Sequence, residues 1–183
     1  MVRGRKNPLS GGLAARLKER RVAIASSCRS ISLAAGLSDA QVNNVERSVS
    51  VPAIDTVELI ANALGVSPCW LAYGSEGTEQ FQQKRPRSLD NDVSACGAGD
   101  DGQPEPFRGR YKGAGERCKA LREARGLSLR QLAEAAGISV QTVANTEAGS
   151  TVPKVDNVER LAVALDCAPC WLAFGVGKSG SSH

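Results

Sequence analysis

The chain has 183 residues, of which 23% are charged and only 4% aromatic, and its net charge at pH 7 is +4. The low aromatic content favours small helical domains over one sheet-rich fold, and the length allows one or two domains. No apolar run approaches the roughly 18 residues that cross a bilayer. We therefore expect a cytoplasmic protein that makes no membrane contact. A sequence pI near 8.8 permits nucleic-acid binding without requiring it.

An internal repeat divides the chain. Residues 12–74 align with residues 113–175 at a constant shift of 101 positions and without a gap, and 28 of the 63 paired residues are identical. Two copies with a long segment between them indicate a tandem duplication rather than a stacked solenoid. The predicted organisation is a basic N-terminal arm (1–12), a first unit (13–75), a linker (76–111), a second unit (112–176) and a disordered tail (177–183).

The arm and the linker are expected to be loosely ordered. Arg3, Arg5 and Lys6 fit either a solvated terminus or an arm that follows DNA. The linker is rich in Gly, Ser, Pro, Gln and Asp, and it carries basic clusters at 84–87 and 108–112. This composition predicts a flexible connection between the units.

Each unit is predicted to contain five helices. The pattern is clearer in the second unit, because SLRQLAEAAG contains stronger helix formers than the matching SSCRSISLAAG of the first. Pro153 and Pro169 stand where proline is tolerated, at or just before a helix start. The second-unit helices are predicted near 114–125, 129–136, 140–148, 156–165 and 169–174.

The second and third of these helices are predicted to form a helix-turn-helix. Ser128 and Ser139 are candidate N-caps, whereas Gly137 and Gly149 are candidate helix ends. Two short helices joined by a tight Gly-containing turn are typical of this motif. Ala133 and Gly137 are expected to lie where the helices come closest, so that a bulky side chain at either would separate them.

The second unit also carries an ordered set of short motifs between about residues 116 and 175: R-x-K-x-x-R, G-L-S, L-A, G-I-S, E-x-G, V-P, L-A-x-A-L and C-W-L-x-x-G. Their spacing resembles the helix-turn-helix domain of Cro and phage repressors, the XRE family, over a whole domain. The resemblance implies an all-α fold: two five-helix, lambda-repressor-like DNA-binding domains joined by a flexible linker.

The same resemblance implies an Arg–Glu ion pair between the first and third helices of each unit. In the second unit the pair falls on Arg122 and Glu147, and in the first on Arg21 and Glu46. A partly buried pair of this kind fixes helix orientation more than it adds net stability, because desolvation of both ions offsets much of their attraction.

The second unit has side chains suited to reading DNA. At the start of its third helix Gln141 can pair with an adenine edge, Val140 can touch a thymine methyl, and Asn145 can reach a further base. The family's usual phosphate-binding Gln after Ser128 is replaced by Leu129, and by Cys28 in the first unit, which weakens the phosphate contact in both. The predicted contacts of the second unit are Ser128, Arg130, Ser139, Val140, Gln141, Thr142, Asn145 and Lys154.

The first unit is less well suited to DNA. An aspartate at position 39 either accepts from a cytosine amine or is repelled by the phosphates. Its predicted contacts are Arg29, Ser38, Asp39, Ala40 and Asn44. The alternative is that this unit is a degenerate copy that packs against the second unit or against a partner.

The six cysteines do not indicate a metal site. Cys167-x-x-Cys170 has the spacing of a redox or metal pair, but the chain has no second such motif, and its only histidine is His183. Four cysteines occupy core-like or helix positions: Cys28, Cys69, Cys118 and Cys170. Cys96 lies in the linker with no adjacent cation, so a sensor role for it has little support. We predict no metal and no cofactor.

We expect a DNA-binding transcriptional regulator, a repressor, that acts in the nucleoid as a covalent pseudo-dimer on two unlike half-sites of double-stranded DNA. The linker's root-mean-square span, about 33 Å for a flexible chain of this length, suits recognition helices about 34 Å apart. A homodimer that uses only the second unit stays open. The alternative function is a protein-interaction module, an antitoxin-like or anti-repressor partner. An enzyme is not expected, since the chain lacks a general-base histidine, a phosphate loop and an activated cysteine.

Overall fold

The structure, a computed structural model, describes residues 10–74 and 109–177, which form ten α-helices and two short 3₁₀ helices. The predicted fold of two five-helix units is confirmed. The basic residues of the arm, most of the linker with Cys96, and the end of the tail lie outside the described residues. The last linker residues, 109–111, are described and lead into the 3₁₀ helix Arg110–Gly113. The first-unit helices are α1 (Leu13–Ala23), α2 (Cys28–Ala34), α3 (Gln41–Glu46), α4 (Ile54–Leu64) and α5 (Pro68–Tyr73). The second-unit helices are α6 (Ala114–Ala124), α7 (Leu129–Ala136), α8 (Val140–Glu147), α9 (Val155–Ala164) and α10 (Pro169–Phe174).

The helix-turn-helix of the second unit is built by local capping. The Ser128 hydroxyl accepts from the Gln131 backbone amide, and the Gln131 side chain accepts from the Ser128 backbone amide. This capping box satisfies two backbone N–H groups at the start of α7 that have no partner within the helix. Gly137 ends the helix with φ of 64°. A Cβ at Gly137 would meet nothing within 4 Å, so the expectation of a close helix crossing there is wrong. The glycine is required by its left-handed backbone instead.

The first unit departs from this pattern at its third helix. α3 begins at Gln41, whereas α8 begins at the equivalent of Asp39, two residues earlier. The fully buried Ser32, where the second unit has Ala133, accepts a 3.2 Å hydrogen bond from the Val42 amide. This hydroxyl satisfies an amide near the start of α3. The first helix-turn-helix therefore has a shorter second helix.

The buried side chains of the two units form one hydrophobic core. α5 of the first unit packs against α10 of the second, and the buried apolar residues of both units belong to one cluster. Leu64, Leu71, Leu165 and Leu172 are all essentially inaccessible to solvent. The two units are therefore not separate globules; the sequence predicted packing between them only as the alternative interpretation of the first unit.

Backbone hydrogen bonds join the two units reciprocally. The Ile54 amide donates to the Pro153 carbonyl at 3.0 Å, and the Val155 amide donates to the Pro52 carbonyl at 3.1 Å. These segments run antiparallel. In the second bond each partner of the first is replaced by its equivalent in the other unit. Such an exchange is the signature of an isologous, two-fold interface. The contact thus has the symmetry of a homodimer within a single chain.

A disulfide lies on this pseudo-two-fold axis. Cys69 of α5 is bonded to Cys170 of α10, with their Cα atoms 5.3 Å apart. These two positions are equivalent in the repeat, and a residue can bond its own symmetry mate only at the axis. Both cysteines are buried. Cys167 is a free thiol, so the Cys167-x-x-Cys170 motif is not a bonded pair.

The short 3₁₀ helix that precedes each unit packs against the other unit. The Ser10 amide, in the 3₁₀ helix before α1, donates to the buried Glu159 carboxylate of α9 at 3.0 Å. The corresponding 3₁₀ helix Arg110–Gly113 packs against α4 and α10. Each unit is thus entered through a segment that contacts the other unit.

Gly115 sets the approach of α6 to α8. A Cβ at this position would overlap the backbone carbonyl of Thr146, which has no flexible end to move away. We expect Gly115→Ala to destabilise the protein by about 1–3 kcal/mol through overpacking, although the same change in an exposed helix stabilises by about 1 kcal/mol. Urea unfolding measures this difference. The control is Gly11→Ala, where a Cβ meets nothing within 4 Å. An equal effect of the two changes would contradict the close contact.

Candidate nucleic-acid interface

The start of α8 is exposed to solvent. Ser139 caps the helix by accepting from the Thr142 amide at 3.1 Å, and its hydroxyl also lies 2.8 Å from the Thr142 hydroxyl. The next two residues point outward, with Val140 44% exposed and Gln141 exposed. An apolar side chain and an amide are therefore presented together at the tip of the helix.

Gln141 is held in a defined orientation by Asn145. Its Nε2 donates to Asn145 Oδ1 at 2.7 Å, one helical turn along. Gln141 keeps its Oε1 acceptor and one N–H donor for another partner, and Asn145 keeps its NH₂ group. An amide with one acceptor and one donor free matches the N6 and N7 edge of adenine in the major groove.

The other predicted contacts of the second unit lie on different elements. Ser128 is exposed at the start of α7, and Arg130 lies exposed on its first turn. Lys154 has an exposed side chain, but its backbone belongs to the bridge with Ala53 between the units. Lys154 is therefore positioned by the interface rather than by the helix-turn-helix.

In the first unit two predicted contact residues pair with each other. Arg29 Nε lies 3.1 Å from Asp39 Oδ2, and both side chains are largely exposed. Ser38 and Ala40 are exposed in the turn before α3, and Asn44 is half-buried. The negative charge of Asp39 before α3 is thus neutralised by Arg29.

Two exposed polar residues at α3 were not predicted from the sequence. Asn43 lies within the helix and Arg47 caps its C-terminus, where the second unit has Ala144 and Ala148. The signal that would have found them is the comparison of the two copies: a change from Ala to a polar residue at a solvent-facing position.

An ion pair ties the first helix of each unit to its third. Arg122 contacts Glu147 through two hydrogen bonds of 2.7 and 2.9 Å, and it also donates to the Leu127 carbonyl at 2.9 Å. Arg21 contacts Glu46 through two bonds of 2.8 Å. The bidentate geometry restricts the rotation of α3 and α8 against the core.

Stability in acid is expected to depend on Glu46. Hydrogen bonds from the Arg21 guanidinium lower the pKa of this carboxyl below its ordinary 4.5. A lowered folded-state pKa gives stability that is present above the unfolded value and is lost as the pH falls through the folded one. The urea midpoint should therefore drop below about pH 4.5, and Glu46→Gln should flatten that drop. The exposed Glu19→Gln is the control. An unchanged acid profile in Glu46→Gln would contradict the assignment.

The free thiols of the described residues are poor nucleophiles. Burial raises the pKa of Cys118 to about 12 and that of Cys167 to about 11. Burial also raises the pKa of Cys28, whose Sγ donates to Glu46 Oε2 at 3.3 Å. Over the residues that the structure describes, no group of three or more potential metal ligands comes together. No helix in those ranges is long and apolar enough to cross a membrane.

The fold and the exposed helix tips define a protein with two helix-turn-helix motifs. A helix-turn-helix family model, HTH_3, matches the chain twice, at residues 17–71 and 119–172. The two matches cover more than half of the chain. The chain therefore belongs to the Cro and phage-repressor (XRE) type of helix-turn-helix family, whose members are DNA-binding transcription regulators.

Among solved structures the chain is similar to the restriction-modification controller protein C.AhdI from Aeromonas hydrophila. The two are 36% identical over 34% of this chain and 94% of the controller protein, with a TM-score of 0.32. Comparison with curated protein sequences gives no significant match.

Proposed function

We propose that the protein is a sequence-specific transcriptional repressor that binds two adjacent DNA half-sites as a covalent pseudo-dimer. The observation that carries this proposal is the isologous interface between the two units, with reciprocal backbone bonds at Ile54 and Val155. Dimeric helix-turn-helix proteins present two recognition helices to successive turns of the major groove. Here one chain carries both helices on one continuous core, and chromosomal DNA in the cytoplasm is the proposed site of action.

The interface, rather than the linker, would set the spacing of the half-sites. A flexible linker alone allows a broad range of distances between two tethered units. Packing of α5 against α10, together with the contact of each short 3₁₀ helix with the other unit, narrows that range, because the units share one core. The protein would then discriminate against operators with one or two base pairs added between the half-sites.

The two half-sites should differ in sequence. In the second unit Gln141 and Asn145 offer amide groups, whereas in the first Asp39 is paired with Arg29 and Ala40 has no polar side chain. Unlike recognition surfaces on a two-fold scaffold favour an operator that is not a palindrome. Repression would follow where this operator overlaps a promoter, because the bound protein excludes the polymerase.

A protein-interaction module is the second candidate, and a specific observation favours it. Val22 and Leu33 of the first unit are 60% and 59% exposed, where the second unit has Glu123 and Glu134. An apolar surface with a neutralised helix tip suits a protein partner better than a phosphate backbone. In this case the first unit would bind protein while the second binds DNA or has lost that role.

Selection of binding sites from random DNA tests the proposal. The intact chain is expected to enrich two unlike half-sites about one helical turn apart, with Gln141→Ala degrading one and Asp39→Ala altering the other. Val163→Ala, an exposed truncation on α9, is the control and should leave both unchanged. A palindromic or single motif sensitive only to Gln141 would contradict the pseudo-dimer. Failure to enrich any motif would favour the protein-interaction module.

A further inference from the structure

The exposed faces of α3 and α8 differ in where their polar side chains lie along the helix. The solvent-facing side of α3 and its flanking turns carries Ala40, Asn43, Asn44 and Arg47, and the equivalent side of α8 carries Gln141, Ala144, Asn145 and Ala148. Both units have an asparagine at the second turn. The second unit adds an amide at the first turn, whereas the first unit has a methyl group there and adds Asn43 and Arg47 towards the end of the helix.

Helix geometry places the new polar groups on one side of α3. Asn43 and Arg47 are four residues apart, so they lie one above the other on the same face. Val42 and Val45 occupy the opposite face and are buried in the core. Both polar side chains are exposed.

The charges of the first unit leave one cation unpaired near this face. Arg29 is engaged by Asp39, and Arg21 is engaged by Glu46. Within the described ranges the Arg47 guanidinium makes no hydrogen bond or ion pair. Its donors are therefore available to an external acceptor.

The side chains at the tip of the first unit explain why an arginine further along would be used. Asp39 is engaged by Arg29, and Ala40 has no polar group. The exposed polar side chains that remain lie further along, at Asn43 and Arg47. Arginine has the long side chain that this position requires, and its planar fork fits two acceptors at once.

We propose that Arg47 is the base-reading residue of the first unit and that its guanidinium recognises the O6 and N7 atoms of a guanine. Asn43 lies beside it on the same face. Bidentate pairing of arginine with these two atoms is the commonest specific contact in the major groove. The proposal rests on the DNA-binding function proposed above and specifies a base pair in each half-site. The half-site of the first unit contains an essential G·C pair, and the half-site of the second contains an A·T pair opposite Gln141.

Affinity measurements on the selected operator test this inference. Each base pair of the first half-site is replaced in turn, and binding is followed by fluorescence anisotropy with the full chain. Replacement of one particular guanine should weaken wild-type binding by roughly 5- to 150-fold, which is the range for a bidentate base contact. Arg47→Ala should bind the original and the replaced operators equally. Arg47→Lys should keep the overall charge but lose most of the preference, because an ammonium does not fit both acceptors.

Arg130→Ala serves as the matched control for an exposed cation. Its loss should weaken all operators by the same factor, as expected for a phosphate contact. The inference is overturned if Arg47→Ala behaves like Arg130→Ala, or if it leaves the first half-site unchanged while Gln141→Ala still degrades the second. That second result would spare the proposed function. Absence of any selected operator overturns both.

Discussion

Loss of the Cys69–Cys170 disulfide is expected to lower the free energy of unfolding by about 4–5 kcal/mol. The bond closes a loop with a sequence separation of 101 residues. For a loop of about 100 residues, chain entropy gives a stabilisation of about 4.7 kcal/mol. The corresponding decrease in Tm is roughly 10–20 °C for a protein of this size. The effect is large because the closed loop is long, so that the bond removes much conformational entropy from the unfolded chain.

The experiment compares the wild type with the Cys69→Ala/Cys170→Ala double variant, each with and without a thiol reductant under unfolding conditions. Only the wild type should respond to the reductant, and its non-reduced form should migrate as a more compact monomer on a denaturing gel. Alanine is chosen because both positions are buried. A wild type whose urea midpoint ignores the reductant would contradict the bond. A double variant that still responds would assign the effect to other cysteines.

Removal of Glu147 is the second change with a large expected effect. The Arg122 and Glu147 side chains are only 13% and 7% exposed. Glu147→Ala removes the carboxylate that contacts this largely buried arginine at 2.7 Å and leaves only the exposed Glu123 carboxylate at 3.4 Å. We therefore expect a cost at the lower end of the roughly 3–5 kcal/mol of a broken buried pair. Urea unfolding monitored by circular dichroism measures this change. The variant should also bind DNA less tightly, because the pair fixes the orientation of α8.

Two controls separate the pairing from the mere loss of a charge. Asp39→Ala removes a carboxylate from an exposed ion pair and is expected to cost about 0–1 kcal/mol. Replacement of both partners, as in Arg122→Met/Glu147→Leu, should recover most of the stability lost in Glu147→Ala, because no uncompensated ion remains. Similar values for Glu147→Ala and Asp39→Ala would show that the buried pair has no special importance.

The helices of the second unit could be predicted because their signals are local. Ser128 and Ser139 supply caps, and Gly137 and Gly149 supply left-handed residues, within a few positions of each boundary. The predicted and observed helices agree to within about one residue at their ends, which is the scatter between assignment methods. Local hydrogen bonds decide such boundaries, and the sequence contains all of their partners.

The interface between the units could not be predicted in the same way. Cys69 and Cys170 have the pattern of core cysteines in each copy, and a buried apolar position does not indicate which element covers it. The reciprocal bonds at Ile54 and Val155 use backbone atoms, which leave no mark in the side-chain pattern. The later start of α3 was missed as well. It accompanies a hydrogen bond from the Val42 amide to the buried Ser32 hydroxyl, where the second unit has an alanine.

The pseudo-two-fold interface also bears on how the protein responds to its own abundance. A regulator that must first dimerise becomes active in proportion to the square of its concentration when it is scarce, whereas an association contained within one polypeptide does not weaken on dilution. Under the proposed function, operator occupancy would rise in direct proportion to the number of chains from the first molecules made. Duplication would then have replaced a threshold with a graded response, and each copy could change its preferred bases without spoiling the match of the other.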